Sequence, residues 1–168
     1  MCIRDSVGTA PADVAFSHLF RADRHVRGVA DFQIQSWRKL ALNVVVNSLT
    51  TLCGGTSKRS LDPVLASLTF ALISETLEVA RASGVPVSAA DRTAVLDTIR
   101  ELPAIPTSMQ HDHRDGRPLE HQFMTGAVLR GAEEHGINVP QVRVVHRLLD
   151  ALSTAPRGEL VGAGPASC

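Results

Sequence analysis

Three polar side chains stand four residues apart in an otherwise apolar stretch: Lys39, Asn43 and Asn47, set among Leu40, Ala41, Leu42, Val44, Val45, Val46 and Leu49. Each helical residue advances 100°, so steps of four turn the direction by only about 40°, and the three groups line one stripe about two turns long. A helix apolar on nearly every other side is a buried helix, and an amine and two carboxamides on it need partners or a ligand. Only Lys39 and Lys58 are lysine among the 17 basic residues. The distinction matters, because a lysine can lose its proton when buried and an arginine effectively cannot. The structural alternative is that the asparagines brace neighbouring loops while Lys39 lays its stem along the helix.

A second constellation is the polar loop from Ser108 through Met109, Gln110, His111, Asp112, His113, Arg114, Asp115, Gly116, Arg117, Pro118 and Leu119 to Glu120. It delivers a helix whose first turn carries a carboxylate, so Ser108 and Glu120 could grip a polar ligand from its two ends. Each also has a plain structural use, Ser108 as a cap and Glu120 as a complement to the helix dipole. His111, Asp112, His113 and His121 suggest a metal, but successive side chains in an irregular loop converge poorly and no cysteine pair is near, so no metal is expected. Gly54-Gly55-Thr56-Ser57-Lys58 has a phosphate loop's composition without its spacing, and a helix C-cap explains both glycines.

Five helices would position these groups. The first starts near Asp31, with that acid as N-cap, and ends at Gly54-Gly55. The second opens at Leu61-Asp62-Pro63 and stops at Ser83-Gly84. The third runs from Ser88 or Asp91 to Leu102. A loop over Thr107–Gly116 leads to a fourth, from about Arg117-Pro118-Leu119-Glu120 to His135-Gly136. Pro140 opens the last, with Val142, Val145, Leu148 and Leu149 on its apolar face. No convincing strand and no Gly-x-Gly-x-x-Gly fingerprint is legible, and the class is all-α. The domain organisation expected is a linker or remnant at 1–30, a helical domain at 31–152 and a disordered tail at 153–168.

The 168 residues suit one domain, with 17 basic and 17 acidic residues and 44% apolar content. Zero net charge and six aromatic residues (five Phe, one Trp) argue against a nucleic-acid surface. No apolar run approaches the roughly 20 residues of a membrane span, so no membrane partner is expected either. Three scattered cysteines fit a reducing, cytoplasmic compartment.

The segment Ser36-Trp37-Arg38-Lys39-x-x-x-Asn43-x-x-x-Asn47 resembles the W-x-K-x-x-x-N-x-x-x-N signature of ketopantoate reductases (2-dehydropantoate 2-reductases). Ser108-Met109-x-x-Asp112, followed by Gly116-Arg117-Pro118-x-Glu120 and Gly126, is similar to the family's second signature, and Glu75-x-x-x-Val79-Ala80-x-x-x-Gly84 lies between the two. The resemblance covers Asp31 to Leu149. It implies the helical C-terminal domain of the 6-phosphogluconate-dehydrogenase-like type, with the N-terminal Rossmann domain that holds NADPH absent from this chain. It further implies hydride transfer to the C2 ketone of a small 2-oxo acid, in pantothenate biosynthesis. Lys39 matches the catalytic lysine, and Asn43, Asn47 and Ser108 match substrate-binding residues. Glu120 matches a catalytic carboxylate near substrate and nicotinamide. On this basis the partners are the oxo acid, the missing Rossmann domain and a second copy in a homodimer, and the chain alone is inactive. Leu119 and His121-Gln122 depart from the family's Thr and Ile-Asp, which admits a paralogous 2-oxo acid or imine reductase. A free-standing helical dimerisation module is the non-enzymatic alternative.

Overall fold

The computed structural model describes residues 6–8, 27–29 and 31–154. β1 (Ser6–Gly8) and β2 (Arg27–Val29) pair in parallel, Ser6 opposite Arg27 and Gly8 opposite Val29. Three-residue strands are too short to show a period of two, so no strand is legible there in the sequence. The rest of the segment 1–30, and the expected tail from 155 onward, lie outside the described residues.

From residue 31 the described chain is all helical, as expected for the class. It comprises α1 (Phe32–Cys53), α2 (Ala66–Ala82), α3 (Ala89–Glu101), α4 (Ser108–Arg114), α5 (Thr125–His135) and α6 (Pro140–Thr154). Short 3-10 turns stand at Ser57–Leu61, Pro63–Leu65 and Glu120–Phe123. α1 forms the centre: Ala41, Val44, Val45 and Leu49 share one core with Leu72, Ile73 and Val79 of α2, Val95 and Ile99 of α3, Met109 of α4, Val128 of α5, and Val142, Val145 and Leu149 of α6.

The punctuation explains most boundaries. Gly54 and Gly55 end α1 at φ 70° and 90°, where a β-carbon would be strained. Asp62 accepts the Val64 N–H at 3.0 Å ahead of α2. Ser88 and Asp91 open α3 jointly: the Ser88 N–H and hydroxyl both donate to Asp91 Oδ2, at 2.5 and 2.8 Å. Arg38 of α1 donates to Oδ1 of the same carboxylate through Nε, at 2.7 Å, and Nη2 lies 2.5 Å from it. Burial alone would raise the Asp91 pKa, but the Ser88 and Arg38 bonds outweigh it and hold the carboxyl below its ordinary value.

Several sequence expectations are corrected. Asp31 sits at the N-cap position in a left-handed conformation (φ 63°), and its side chain makes no capping bond. Ser108–Arg114, expected as loop, is a two-turn helix, because Thr107 caps it by accepting the Gln110 N–H and Met109 and Gln110 are buried. The fourth expected helix begins later: Glu120–Phe123 is a 3-10 turn, Met124 breaks the path at φ −113°, ψ −87°, and α5 starts at Thr125. Leu148 is 51% exposed rather than in the core. α6 runs through Thr154, two residues into the expected tail.

Pro63–Ala82 is 20 residues long with mean hydropathy 1.4, long and apolar enough by composition to cross a membrane, which the sequence reading had not recognised. Core packing accounts for that apolarity, since Leu72, Ile73, Leu77, Val79 and Ala80 are all buried in the shared core. The same helix carries buried Glu75, whose two oxygens accept the Gln141 and Val142 N–H groups at 3.1 and 2.9 Å. A carboxylate from α2 therefore caps α6, which has no acidic residue in its own first turn.

Candidate active site

α1 changes character at Ala41. From Ala41 to Thr51 it is buried apart from Asn43 and Asn47, which are half-buried. Lys39 lies two residues before that stretch and is exposed, so its expected burial is not met by the described residues. Beside it is a shallow hollow of about 180 Å³ between α1 and α3, lined by Gln35, Arg38, Lys39, Leu42, Ala94, Val95 and Thr98.

Two side-chain contacts bring the second constellation to the stripe. The Thr50 hydroxyl donates to the Val46 carbonyl at 2.7 Å, so across the 2.8 Å contact between hydroxyls it accepts the proton of Thr107. Thr107 is the N-cap of α4, and Ser108 at the start of that helix is thereby held beside α1 at the level of Thr50. Asn47 Nδ2 donates to Met124 Sδ at 3.3 Å, which holds the Glu120–Phe123 turn next to the stripe. At 100° per residue Lys39, Asn43, Asn47 and Thr50 fall within about 80° of arc, so both anchors lie on the face that carries the lysine.

The two segments themselves are shaped locally. Arg117 pairs with Asp112 through Nε at 2.7 Å and with Asp115 through Nη1 at 2.6 Å, while Gly116 takes φ 65°. Asp112, Gly116 and Arg117 therefore build the bend that carries the chain from α4 to Glu120. Ser108 and Glu120 are exposed. The side chains of Lys39, Asn43, Ser108 and Glu120 make no hydrogen bond or ion pair with any described residue, whereas that of Asn47 is committed to Met124. Bracing of neighbouring loops thus accounts for one asparagine and leaves the other polar groups available to a ligand.

Other groups separate from this face. Lys58 places its ammonium on the carbonyls of Ile99 (3.4 Å) and Arg100, closing the C-terminus of α3. The glycines before it are the α1 stop, and a hollow of about 420 Å³ lined by Gly55, Thr56, Lys58, Arg59, Leu61, Asp62 and Pro63 surrounds that turn. His111, Asp112 and His113 do not join His121. His121 turns inward instead, its Nε2 2.7 Å from Asp150 Oδ1, and His146 Nε2 lies 3.4 Å from Asp150 Oδ2. The hydrogen bond from His121 holds the Asp150 carboxyl below its ordinary pKa, and burial lowers that of His146.

Thr50, Thr107 and Met124 escaped the sequence reading. Thr107, directly after Pro106, carries an N-cap signal that could have found it. Nothing local links Asn47 to Met124, 77 residues away.

Residues 31–153 match the sequence profile described as Ketopantoate reductase PanE/ApbA C terminal. The 2-dehydropantoate 2-reductase of Mycobacterium tuberculosis is 34% identical over 152 residues, covering 89% of this chain and 51% of the relative. That of Vibrio cholerae is 31% identical over 123 residues, 73% of this chain and 42% of the relative. The chain thus spans about half the length of the curated relatives it matches. A dimeric ketopantoate reductase from Staphylococcus aureus superposes with a TM-score of 0.78 at 25% identity, over 88% of this chain and 52% of that one. A D-mandelate dehydrogenase, solved with NADH and anilino(oxo)acetate, shares the fold with a TM-score of 0.77 at 16% identity, over 88% and 52%. With the profile matched across nearly all of the helical body, the chain belongs to the C-terminal domain family of ketopantoate reductases.

Proposed function

We propose that the chain is the lysine-bearing half of an NADPH-dependent 2-dehydropantoate 2-reductase, working in the cytoplasm and pairing with a second copy. What carries the proposal is one arrangement: Lys39, Asn43 and Asn47 on one stripe of α1, with the start of α4 and the Glu120 turn pinned to the same face through Thr50–Thr107 and Asn47–Met124. Membership of the reductase family supports it. In this reading the dinucleotide is held chiefly by the part of the protein that corresponds to the other half of the relatives, and the Glu120 carboxylate is this chain's own contribution to it.

The nicotinamide, when bound, supplies hydride to C2 of the oxo acid. Lys39 then holds its ammonium at the ketone oxygen and gives it the proton that makes the alcohol. Asn43 orients the oxo acid along the stripe, Asn47 offers it the amide oxygen not used in its bond to Met124, and Ser108 and Glu120 close its rim. An exposed lysine suits this scheme only if a second domain covers the face and excludes water, because the ammonium acts far more strongly on the developing alkoxide in a dry site.

The test joins this chain to the half of the Mycobacterium tuberculosis relative that it does not span and follows NADPH oxidation with ketopantoate. Lys39→Ala should lower kcat by roughly 10²-fold or more, the usual scale for losing a positioned acid. Turnover of Lys39→Ala at the unsubstituted rate would remove the lysine from the mechanism. A second reading, another 2-oxo acid on the same stripe, is favoured by the engagement of both His121 and Gln122 with Asp150. Ketopantoate ranking near the bottom of a panel of oxo acids would support it.

A further inference from the structure

His146 and Asp150 stand one turn apart on α6 and face His121, from the turn that carries Glu120. One ligand atom from each of the three lies within 4.8 Å of the others, and the imidazole centroids are 5.2 Å apart. His121 is 5% exposed at its side chain and His146 12%, while Asp150 at 45% leaves one side open to solvent.

The protons of this cluster can be assigned from Thr125. Its hydroxyl has one proton and two neighbours, the His121 carbonyl at 3.0 Å and His146 Nδ1 at 2.8 Å. A carbonyl can only accept, so both contacts are satisfied when the hydroxyl donates to it and His146 Nδ1–H donates to the hydroxyl. Nε2 of a neutral His146 then carries a lone pair aimed at the Asp150 carboxylate. Two acceptors facing each other at 3.4 Å need a cation between them. That separation also matches the edge of a tetrahedron with bonds of about 2.0–2.1 Å, roughly 3.3 Å. The Gln122 amide is 3.0 Å from Asp150 Oδ1 and 3.5 Å from His121 Nε2, and turning it over would present an oxygen there.

We propose that His121, His146 and Asp150, completed by the Gln122 side chain, bind a divalent transition-metal ion of the Zn²⁺ or Co²⁺ type. Two imidazoles with oxygen donors suit such an ion and not Mg²⁺ or Ca²⁺. Thr125 holds the His146 tautomer that ligation requires, the usual task of a hydrogen-bond partner behind a metal ligand. The ion would clasp the Glu120 turn to α6, and the site does not depend on the reductase assignment. Ligation moves the His121 proton to Nδ1, which is buried without a partner, and the 2.7 Å contact with Asp150 must open. Micromolar affinity is therefore expected rather than the tight binding of a fully supported site.

The test uses the untagged 168-residue chain with the two histidines of α4 removed (His111→Ala, His113→Ala), titrated with ZnCl₂ by calorimetry and with Co²⁺ by visible absorption. A single ion should bind with Kd on the order of 10 µM and give the absorption of four-coordinate Co²⁺. Asp150→Asn and His146→Gln should each weaken binding at least about 10-fold, and Thr125→Val by about 10-fold, the scale for losing a group behind a ligand. Asp150→Asn is near-isosteric and half-exposed, and its circular dichroism checks that the fold persists. The proposal is overturned if no ion binds at about 1 mM, leaving a proton between His146 and Asp150, or if Asp150→Asn and His146→Gln bind as the parent does.

Discussion

Glutamine at position 75 would keep the shape of the α2-to-α6 clasp while removing its charge and turning one acceptor into a donor. Glu75 gives one oxygen to each of two N–H groups at the first turn of α6, at 3.1 and 2.9 Å, and is 9% exposed, so water cannot take its place. A hydrogen bond to a charged acceptor contributes about 1.5–3 kcal/mol, and a carboxylate at a helix N-terminus adds about 0.3–1 kcal/mol through the macrodipole. Glu75→Gln retains one neutral bond, loses the other and sets an NH₂ against an N–H. Subtracting one charged bond and the dipole contribution gives an expected loss of about 2–4 kcal/mol. At roughly 2–4 °C per kcal/mol for a chain of this size, Tm should fall by about 5–15 °C. Urea and thermal unfolding followed by far-ultraviolet circular dichroism measure the loss, and hydrogen exchange localises it, since the Gln141 and Val142 amides should exchange faster. A loss under about 1 kcal/mol with both amides still protected would refute the assignment of Glu75 as the cap of α6.

Two further outcomes follow from single contacts. At Gly131 of α5 an added β-carbon would lie 2.8 Å from Val79 Cγ1, so Gly131→Ala should destabilise by about 1–3 kcal/mol despite alanine's better helix propensity. Adding Val79→Ala should recover part of that in a double-mutant cycle; a stabilised single variant would contradict the close approach of α5 to α2. Asp91, with its pKa lowered in the folded state, contributes stability that is complete above its unfolded value and is lost as pH falls through the lower folded value. Between about pH 4 and pH 2 the parent should therefore lose stability more steeply than Asp91→Asn, by denaturant midpoints; parallel profiles would show that Asp91 is not held by Ser88 and Arg38.

The legible part of the fold was its punctuation. Gly54-Gly55, Asp62-Pro63, Ser83-Gly84, Ser88 with Asp91, and Gly136 act through bonds or dihedral limits within a few residues, so their effect can be read without the rest of the chain. The spacing of Lys39, Asn43 and Asn47 was legible for the same reason. The helix at Ser108–Arg114 was not, because a seven-residue helix rich in histidine and arginine has little periodic signal and depends on Thr107 and on burial of Met109. Lys39 was expected inside because its neighbours in sequence are apolar, yet the surroundings of an element's first turns depend on which other elements reach that far.

Sequence alone determined five of the six described α-helices, which residues share the α1 stripe, and the two signatures that place the chain in its family. Tertiary structure alone decided that Thr50 meets Thr107 across 57 residues, that Glu75 caps α6 across 66, and that His121 finds His146 and Asp150. Backbone periodicity and capping act between residues close along the chain, whereas these contacts join elements that only the packed core brings together. That packing depends on the summed shapes of several helices, which no single stretch of sequence contains.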